Sequence, residues 1–182
     1  MFNELLDIVD DRGQLTGERK ARSDVHAQGL WHRVVHAYLY RARGGTIELL
    51  VHKRFAGADS DPNAWDTRFG GHCIAGQDYD ETVLEELKEE AGIEVPLAKL
   101  TRGPVLKRHK GNNKEFTATY FLEYAGGAAA LSFPDGEVTD ARWMPIEEIE
   151  RALKTEPAGW APRATGFHEI KDFLRRAASK SA

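Results

Sequence analysis

Three glutamates near the middle of the chain are spaced so that they can concentrate negative charge. Glu86, Glu89 and Glu90 stand at positions i, i+3 and i+4. On a helix their carboxylates would share one stripe, with Cβ atoms about 5 to 6 Å apart. Such crowding is repulsive unless a cation lies there. Mg²⁺ suits the place because it takes oxygen ligands and keeps water and phosphate oxygens in its other positions. The spacing therefore predicts a Mg²⁺ site.

The alternative for a glutamate-rich helix is an acidic, solvated face with no ligand. Gly70, Gly71 and Gly76 lie on the approach to this helix. Glycines at such a place let backbone come close to a ligand. The combination favours a metal site over a solvated face.

The helix that carries these glutamates is predicted over residues 78–91. Asp78 and Glu81 form a capping-box pattern at its start, and Gly92 is suited to a left-handed residue at its end. Apolar residues recur on the other side and should pack inward: Val83, Leu84, Leu87 and Ala91.

The rest of the chain alternates strand and helix signals. The dipeptide Gly44-Gly45 lies between two β-rich segments and predicts a hairpin. The strands are expected at 34–41, 47–54 and 116–124, a turn at 134–136, and further helices at 146–154 and 166–178. Interspersed elements of both kinds predict an α/β fold, with helices packed on a mixed sheet and the last helix closing one face.

Composition narrows the class of protein. A chain of 182 residues with 41% apolar and 30% charged residues fits one domain over 1–182, in which residues 1–30 form an N-terminal extension. Apolar runs fall short of the roughly 20 residues that span a bilayer, and the N-terminus lacks a secretory pattern. We therefore expect a cytoplasmic protein with no membrane partner.

Charge and cysteine content limit its ligands. The single cysteine, Cys73, rules out an internal disulfide and a thiolate zinc cluster, so a metal must be held by oxygen or imidazole. A net charge of -4 argues against nucleic acid as a partner. An anionic substrate would need local cations.

Residues 71–93 resemble the Nudix box. Its pattern is Gly, five residues, Glu, seven residues, Arg-Glu, an aliphatic residue, any residue, Glu-Glu, any residue, Gly, aliphatic. Gly71, Glu86, Glu89, Glu90 and Gly92 match it. The resemblance implies a Nudix-type α/β/α sandwich and a pyrophosphohydrolase that binds Mg²⁺, or Mn²⁺, through the three glutamates.

Two positions of the box depart from the pattern. Gln77 stands in place of the first Glu, and Glu85 stands in place of the Arg. We expect Glu85 to replace an attraction with a repulsion that Lys88 offsets only in part. Metal affinity or rate should then suffer, and a weakened Nudix domain that only binds a diphosphate is an alternative.

A longer resemblance, from about residue 5 to 173, is to the Nudix branch of isopentenyl-diphosphate isomerase. It is carried by these residues: Asp7-Ile8-Val9-Asp10, Gly17-Glu18, Arg22, His26, Gly29-Leu30-Trp31-His32, Lys53-Arg54, Trp65-Asp66 and Gly70-Gly71-His72. The isomerases have a cysteine at the position of Gly70, so the resemblance favours hydrolysis and leaves an isomerase-like enzyme as an alternative. Cys73 is expected to be a buried, small apolar residue.

The same branch implies a second metal site. His32, His72 and Glu115 match three ligands of the isomerase metal, His26 matches a fourth with a one-residue slip, and Asn113 replaces a glutamate. The alternative is that these histidines are hydrogen-bonded packing residues. Glu115 is also a candidate general base, and the choice among Glu86, Glu89 and Glu115 stays open.

Residues outside the box should hold the substrate. Lys53 and Arg54 are the candidate phosphate-binding cations, and Trp65 is a candidate for stacking on a base or covering a prenyl chain. A small-molecule diphosphate is expected, with nucleoside diphosphates or their derivatives favoured over prenyl diphosphates. The apolar N-terminal residues Phe2, Leu5 and Leu6 predict either a homodimer contact or packing on the domain.

Overall fold

The computed structural model describes residues 4–58, 60–161 and 164–178. The chain order in these residues is β1 (Leu5–Val9), β2 (Leu15–Ala21), α1 (Arg22–Gln28), β3 (Trp31–Arg43), β4 (Thr46–Arg54), β5 (Trp65–Asp66), α2 (Tyr79–Ala91), β6 (Leu100–Lys110), β7 (Asn113–Glu123), β8 (Val138–Pro145), α3 (Ile146–Thr155) and α4 (Ala164–Ala178). Within this part of the chain, no helix is both long and apolar enough to cross a membrane.

The strands form a two-stranded sheet, β1-β2, and a six-stranded sheet. The order in the larger sheet is β5-β4-β3-β7-β6, and β8 also pairs with β4. Strand β4 pairs with β8 over most of its length. It also pairs with β3 near its start and with β5 near its end. A mixed sheet with flanking helices is the predicted α/β class, which is confirmed.

The chain divides into two compact units. Unit 1 contains the described residues of Met1–Ala37, Phe69–Lys88 and Glu94–Phe121, and unit 2 those of Tyr38–Arg68, Glu89–Ile93 and Leu122–Ala182. The expectation of a single domain over 1–182 stays a prediction.

The N-terminal part of unit 1 has more structure than the sequence predicted. Strands β1 and β2 pair antiparallel, and helix α1 follows directly. Leu6, Ile8 and Val25 form a buried cluster under this hairpin, with Leu30 packed against it. Leu6 therefore packs on its unit, Leu5 is 53% exposed, and Phe2 lies outside the described residues.

Unit 2 contains the predicted hairpin. Strands β3 and β4 are joined by Gly44 and Gly45, whose φ angles are 57° and 80°. Two positive φ angles define the turn type that fits the right-handed twist of a hairpin. The predicted turn at 134–136 is also present, where the amide of Gly136 donates to the Phe133 carbonyl. Both predictions are confirmed.

Helices α3 and α4 pack together in unit 2. Their buried residues recur at helical spacing: Ile146, Ile149 and Leu153 in α3, and Phe167, Ile170 and Leu174 in α4. Both helices lie within two residues of their predicted limits. The last helix packs on α3 and also contacts strand β4.

Candidate functional site

Helix α2 begins and ends where the sequence predicted. The Asp78 carboxylate accepts from the amides of Asp80 and Glu81, at 2.8 and 2.9 Å, while Glu81 accepts from the Asp78 amide. This is a capping box. At the other end Gly92 has a φ of 65°. The box glutamates are thus carried by a well-defined helix.

The Glu86 carboxylate lies against the backbone of Gly71, inside unit 1. A Cβ atom built on Gly71 would overlap Glu86 Oε1 and lie 3.0 Å from its carboxyl carbon. The Gly71 carbonyl accepts from the Val35 amide at 2.9 Å, so strand β3 fixes the position of this backbone. Glu86 and Glu90 are half-buried and Glu89 is exposed, as expected for one stripe of the helix.

Gly70 has a conformation that excludes a side chain. Its φ is 143°, and a Cβ atom at this residue would overlap the Val35 carbonyl oxygen. A cysteine has no room at this position. Cys73 is 2% exposed, as expected, and burial raises the pKa of its thiol to about 11.

Three histidines of unit 1 converge, and two of them are predicted ligands. His26 Nε2 and His72 Nε2 are 3.2 Å apart, and ligand nitrogens of His26, His32 and His72 all lie within 4.8 Å of one another. Nδ1 of His32 bonds to the Leu30 carbonyl oxygen at 3.1 Å. As that bond requires a proton on Nδ1, Nε2 of His32 carries the lone pair.

The histidine cluster is held in the neutral form. Burial, opposed by the charge of Glu115, lowers the pKa of His26 and of His32. Burial and then Arg22 lower the pKa of His72 to about 2. Neutral imidazole is the form that binds metal ions.

The donor atoms of unit 1 fit a divalent cation. His32 is fully buried, and its Nε2 has no hydrogen-bond partner among the described residues. A buried lone pair aimed at two other imidazoles costs free energy that a bound metal would recover. The carboxylate of Glu86 supplies oxygen, the ligand that Mg²⁺ prefers.

Glu115 acts on the histidine cluster through its charge and is oriented by two neighbours. Asn113 Nδ2 donates to one of its carboxylate oxygens at 2.6 Å, and Thr117 Oγ1 lies 3.4 Å from the other. Asn113 therefore contacts Glu115 and helps to orient its carboxylate.

Gln77 and Glu85, the two residues that differ from the box pattern, form a hydrogen bond with each other. Gln77 Nε2 donates to Glu85 Oε2 at 2.6 Å, whereas Lys88 pairs with Glu94 at 3.0 Å. The expectation that only Lys88 would offset the charge of Glu85, and only in part, missed this bond. Gln77 precedes the helix, so the i±3 and i±4 spacings that bring helical residues together do not pair it with Glu85.

Two further polar residues of unit 1 support the loop before α2, and the sequence assigned neither of them this role. The Arg33 guanidinium donates to the Gln77 carbonyl at 2.8 Å, and the Asp7 carboxylate accepts from the Gly76 amide at 2.8 Å. The available signal was Arg33 itself, a charged residue within the apolar strand β3.

The predicted substrate-binding residues all lie in unit 2. Lys53 and Trp65 are paired residues of β4 and β5. Arg54 Nε donates to the Ser60 carbonyl at 3.0 Å, which orients its guanidinium. One face of the half-buried Trp65 carries the Arg142 guanidinium, 4.4 Å from the ring centroid. These three residues are neighbours within their unit.

A model of the NUDIX domain matches residues 30–164. The chain belongs to the Nudix family. An uncharacterized Nudix hydrolase of Clostridium acetobutylicum is 31% identical over 163 residues, which is 87% of this chain and 78% of that protein. A prenyl-diphosphate phosphatase of Methanosarcina mazei is 30% identical over 114 residues, 63% of this chain and 65% of that protein.

The fold agrees with the family. A crystal structure from Deinococcus radiodurans is similar with a TM-score of 0.67 and 24% identity, covering 95% of this chain and 98% of that one. The domain match and the named relatives show that this protein is a Nudix hydrolase, an enzyme that acts on phosphoric anhydride bonds. Nudix hydrolases generally use divalent metals.

Proposed function

We propose that this Nudix hydrolase is a divalent-metal-dependent pyrophosphohydrolase that cleaves a nucleoside diphosphate, or a derivative of one, by attack of water on phosphorus. The contact between the Gly71 backbone and the Glu86 carboxylate carries the proposal. The Glu86 carboxylate occupies the space of the missing Cβ, so any other residue at position 71 would displace it.

The proposed metal ligands form two groups. Glu86, Glu89 and Glu90 on α2 would hold Mg²⁺, for which Mn²⁺ can substitute. His32 and His72 would hold a second divalent ion, with His26 beside them. Held by these residues, divalent cations would supply positive charge for the diphosphate oxygens and would lower the pKa of the attacking water.

The residues of the chain have separate proposed roles. Glu86, Glu89 and Glu115 are the candidates for the base that takes a proton from water, and Glu115 is the one oriented by two side chains. Lys53 and Arg54 would bind phosphate oxygens, and Trp65 would cover the group attached to the diphosphate.

The second substrate class is a prenyl diphosphate. The relative from Methanosarcina mazei is named a prenyl-diphosphate phosphatase, and it supports this class. A flat or apolar group of either class can lie on an indole ring. Nucleoside diphosphates remain the first choice, and we retain a cytoplasmic location, a possible homodimer and no nucleic-acid partner as proposals.

An isomerase-like activity is disfavoured by two residues. The backbone of Gly70 leaves no room for a thiol, and the pKa of Cys73, raised to about 11 by burial, keeps that thiol protonated near neutral pH. The other alternative is a domain that binds a diphosphate without cleaving it. It differs from the proposal only in that the bound diphosphate is not hydrolysed.

The test is release of phosphate or of a nucleoside monophosphate from a panel of nucleoside diphosphates, nucleotide sugars and isopentenyl diphosphate, with and without Mg²⁺. Wild type is compared with Glu86→Gln and Glu90→Gln, and with Glu148→Gln, an exposed acid on α3, as the matched control. Loss of an outer-shell residue costs about 10- to 100-fold, so loss of a ligand should lower kcat/KM by at least about 100-fold.

Two results would contradict the proposal. Equal turnover by wild type and Glu90→Gln would remove α2 from the metal site. Tight binding of a diphosphate with no Mg²⁺-dependent release from any substrate would leave the binding domain as the function.

A further inference from the structure

The side chain of Gln77 runs along the surface of helix α2 from a position outside it. Gln77 precedes the N-terminal capping residue, Asp78. Its Nε2 donates to Glu85 at 2.6 Å, and its Oε1 lies 3.3 Å from Thr82 Oγ1, whose hydroxyl also donates to the Asp78 carbonyl at 2.8 Å. One amide therefore contacts two successive turns of the helix and bonds firmly to Glu85.

The backbone of Gln77 is fixed as firmly as its side chain. Its amide donates to the Ile74 carbonyl at 3.0 Å, and its carbonyl accepts from Arg33 at 2.8 Å. The guanidinium of Arg33 also lies 3.5 Å from the Asp7 carboxylate, and its side chain is only 12% exposed. Strand β3 thus holds the residue whose amide reaches Glu85.

Glu85 needs such a partner because of the residues around it on α2. Glu81 and Glu89 stand four residues before and after it, and like charges at that spacing destabilise a helix. Glu81 is turned to the Asp78 amide, which donates to it at 3.1 Å. Gln77 likewise draws the Glu85 carboxylate toward the N-terminal end of α2.

We infer that Gln77 and Glu85 are a positioning pair that keeps the additional carboxylate out of the stripe of Glu86, with the amide donor at 77 and the acceptor at 85. The inference rests on the proposed role of α2 in metal binding. The same bond ties the C-terminal end of the 70–77 loop to the helix, while Gly71 in that loop lies against Glu86.

The test is a double-mutant cycle on the full chain with Gln77→Glu, Glu85→Arg and the double variant. Gln77→Glu places two carboxylates at hydrogen-bond distance. It should lower kcat by about tenfold and also lower the melting temperature of the metal-free protein. The double variant restores opposite charges and should regain both, with kcat within about threefold of wild type.

Glu85→Gln is the control for charge. It keeps an oxygen acceptor for Gln77 Nε2 and removes the negative charge that Glu81 and Glu89 repel. Its kcat should therefore stay within about twofold of wild type. A purely structural pair would change the melting temperature and leave kcat, measured well below melting, unaltered.

The inference is overturned if Gln77→Glu keeps wild-type kcat, or if the double variant regains the melting temperature without regaining kcat. Glu86→Gln measured in the same assay separates this from failure of the proposed function. If that variant keeps Mg²⁺-dependent activity, α2 is not the metal site, and the positioning role fails with it.

Discussion

At the scale of single residues, the site depends on how closely the Gly71 backbone approaches Glu86. Gly71 is not among the residues with positive φ, so its conformation suits any L-residue. What excludes a side chain is the Glu86 carboxylate, which lies in the space of the missing Cβ. A glycine is therefore needed here because of where the Glu86 carboxylate lies, and not because of a turn.

Gly71→Ala should impair activity far more than stability. The added methyl group displaces the end of a flexible side chain, so the free energy of unfolding should fall by less than about 1.5 kcal/mol. A displacement of about 1 Å at the site should lower kcat by about 100-fold. Kinetics and urea unfolding are compared with Gly159→Ala, where a Cβ meets no atom within 4 Å. Wild-type kcat in Gly71→Ala would contradict this role of the contact.

Residue-scale features differed in how far the sequence revealed them. Glu86 and its helical neighbours follow from spacing alone, because a helix fixes the distance between i, i+3 and i+4. The contact of His26 with His72 joins residues 46 positions apart and came only from a family resemblance. The bond of Gln77 to Glu85 was missed because it depends on a side-chain rotamer outside the helix.

At the scale of elements, α2 depends on its first turn. Asp78 accepts from two amides that would otherwise have no partner in the helix. Asp78→Ala should lower the free energy of unfolding by about 1 kcal/mol, as loss of an N-cap usually does, whereas Asp78→Asn should retain most of it. Equal unfolding midpoints for Asp78→Ala and wild type in urea would show that the cap contributes nothing measurable.

Elements with a periodic buried face could be predicted, whereas mostly exposed strands could not, nor could β1, whose four consecutive buried residues show no alternation. Strand β7 was found from its alternating side chains, and α2 from its caps and apolar stripe. Strand β2 has five exposed residues followed by two half-buried ones, and β6 has seven exposed and four half-buried residues. Periodicity reports burial, so strands with little of it give no signal. Helix α1, with seven residues and one buried side chain, was too short to detect.

At the scale of the whole molecule, buried neutral histidines make stability sensitive to acid. His32 and His72 belong to unit 1 and His52 to unit 2, and burial lowers the pKa of each. A group whose pKa is lower in the folded state binds fewer protons there than in the unfolded chain. The folded state then loses free energy, relative to the unfolded state, as the pH falls.

His52 gives this dependence a defined window. Burial lowers its pKa to about 4, from 6.5 in the unfolded chain. Between pH 6.5 and 4 the unfolded chain binds a proton at His52 and the folded chain does not. The free energy of unfolding is therefore at its full value above pH 6.5 and falls by about 3 kcal/mol as the pH is lowered to 4. Urea unfolding at several pH values should show a shallower dependence for His52→Gln than for wild type. Since His32 and His72 titrate in both proteins, parallel curves would mean that His52 is not buried in its neutral form.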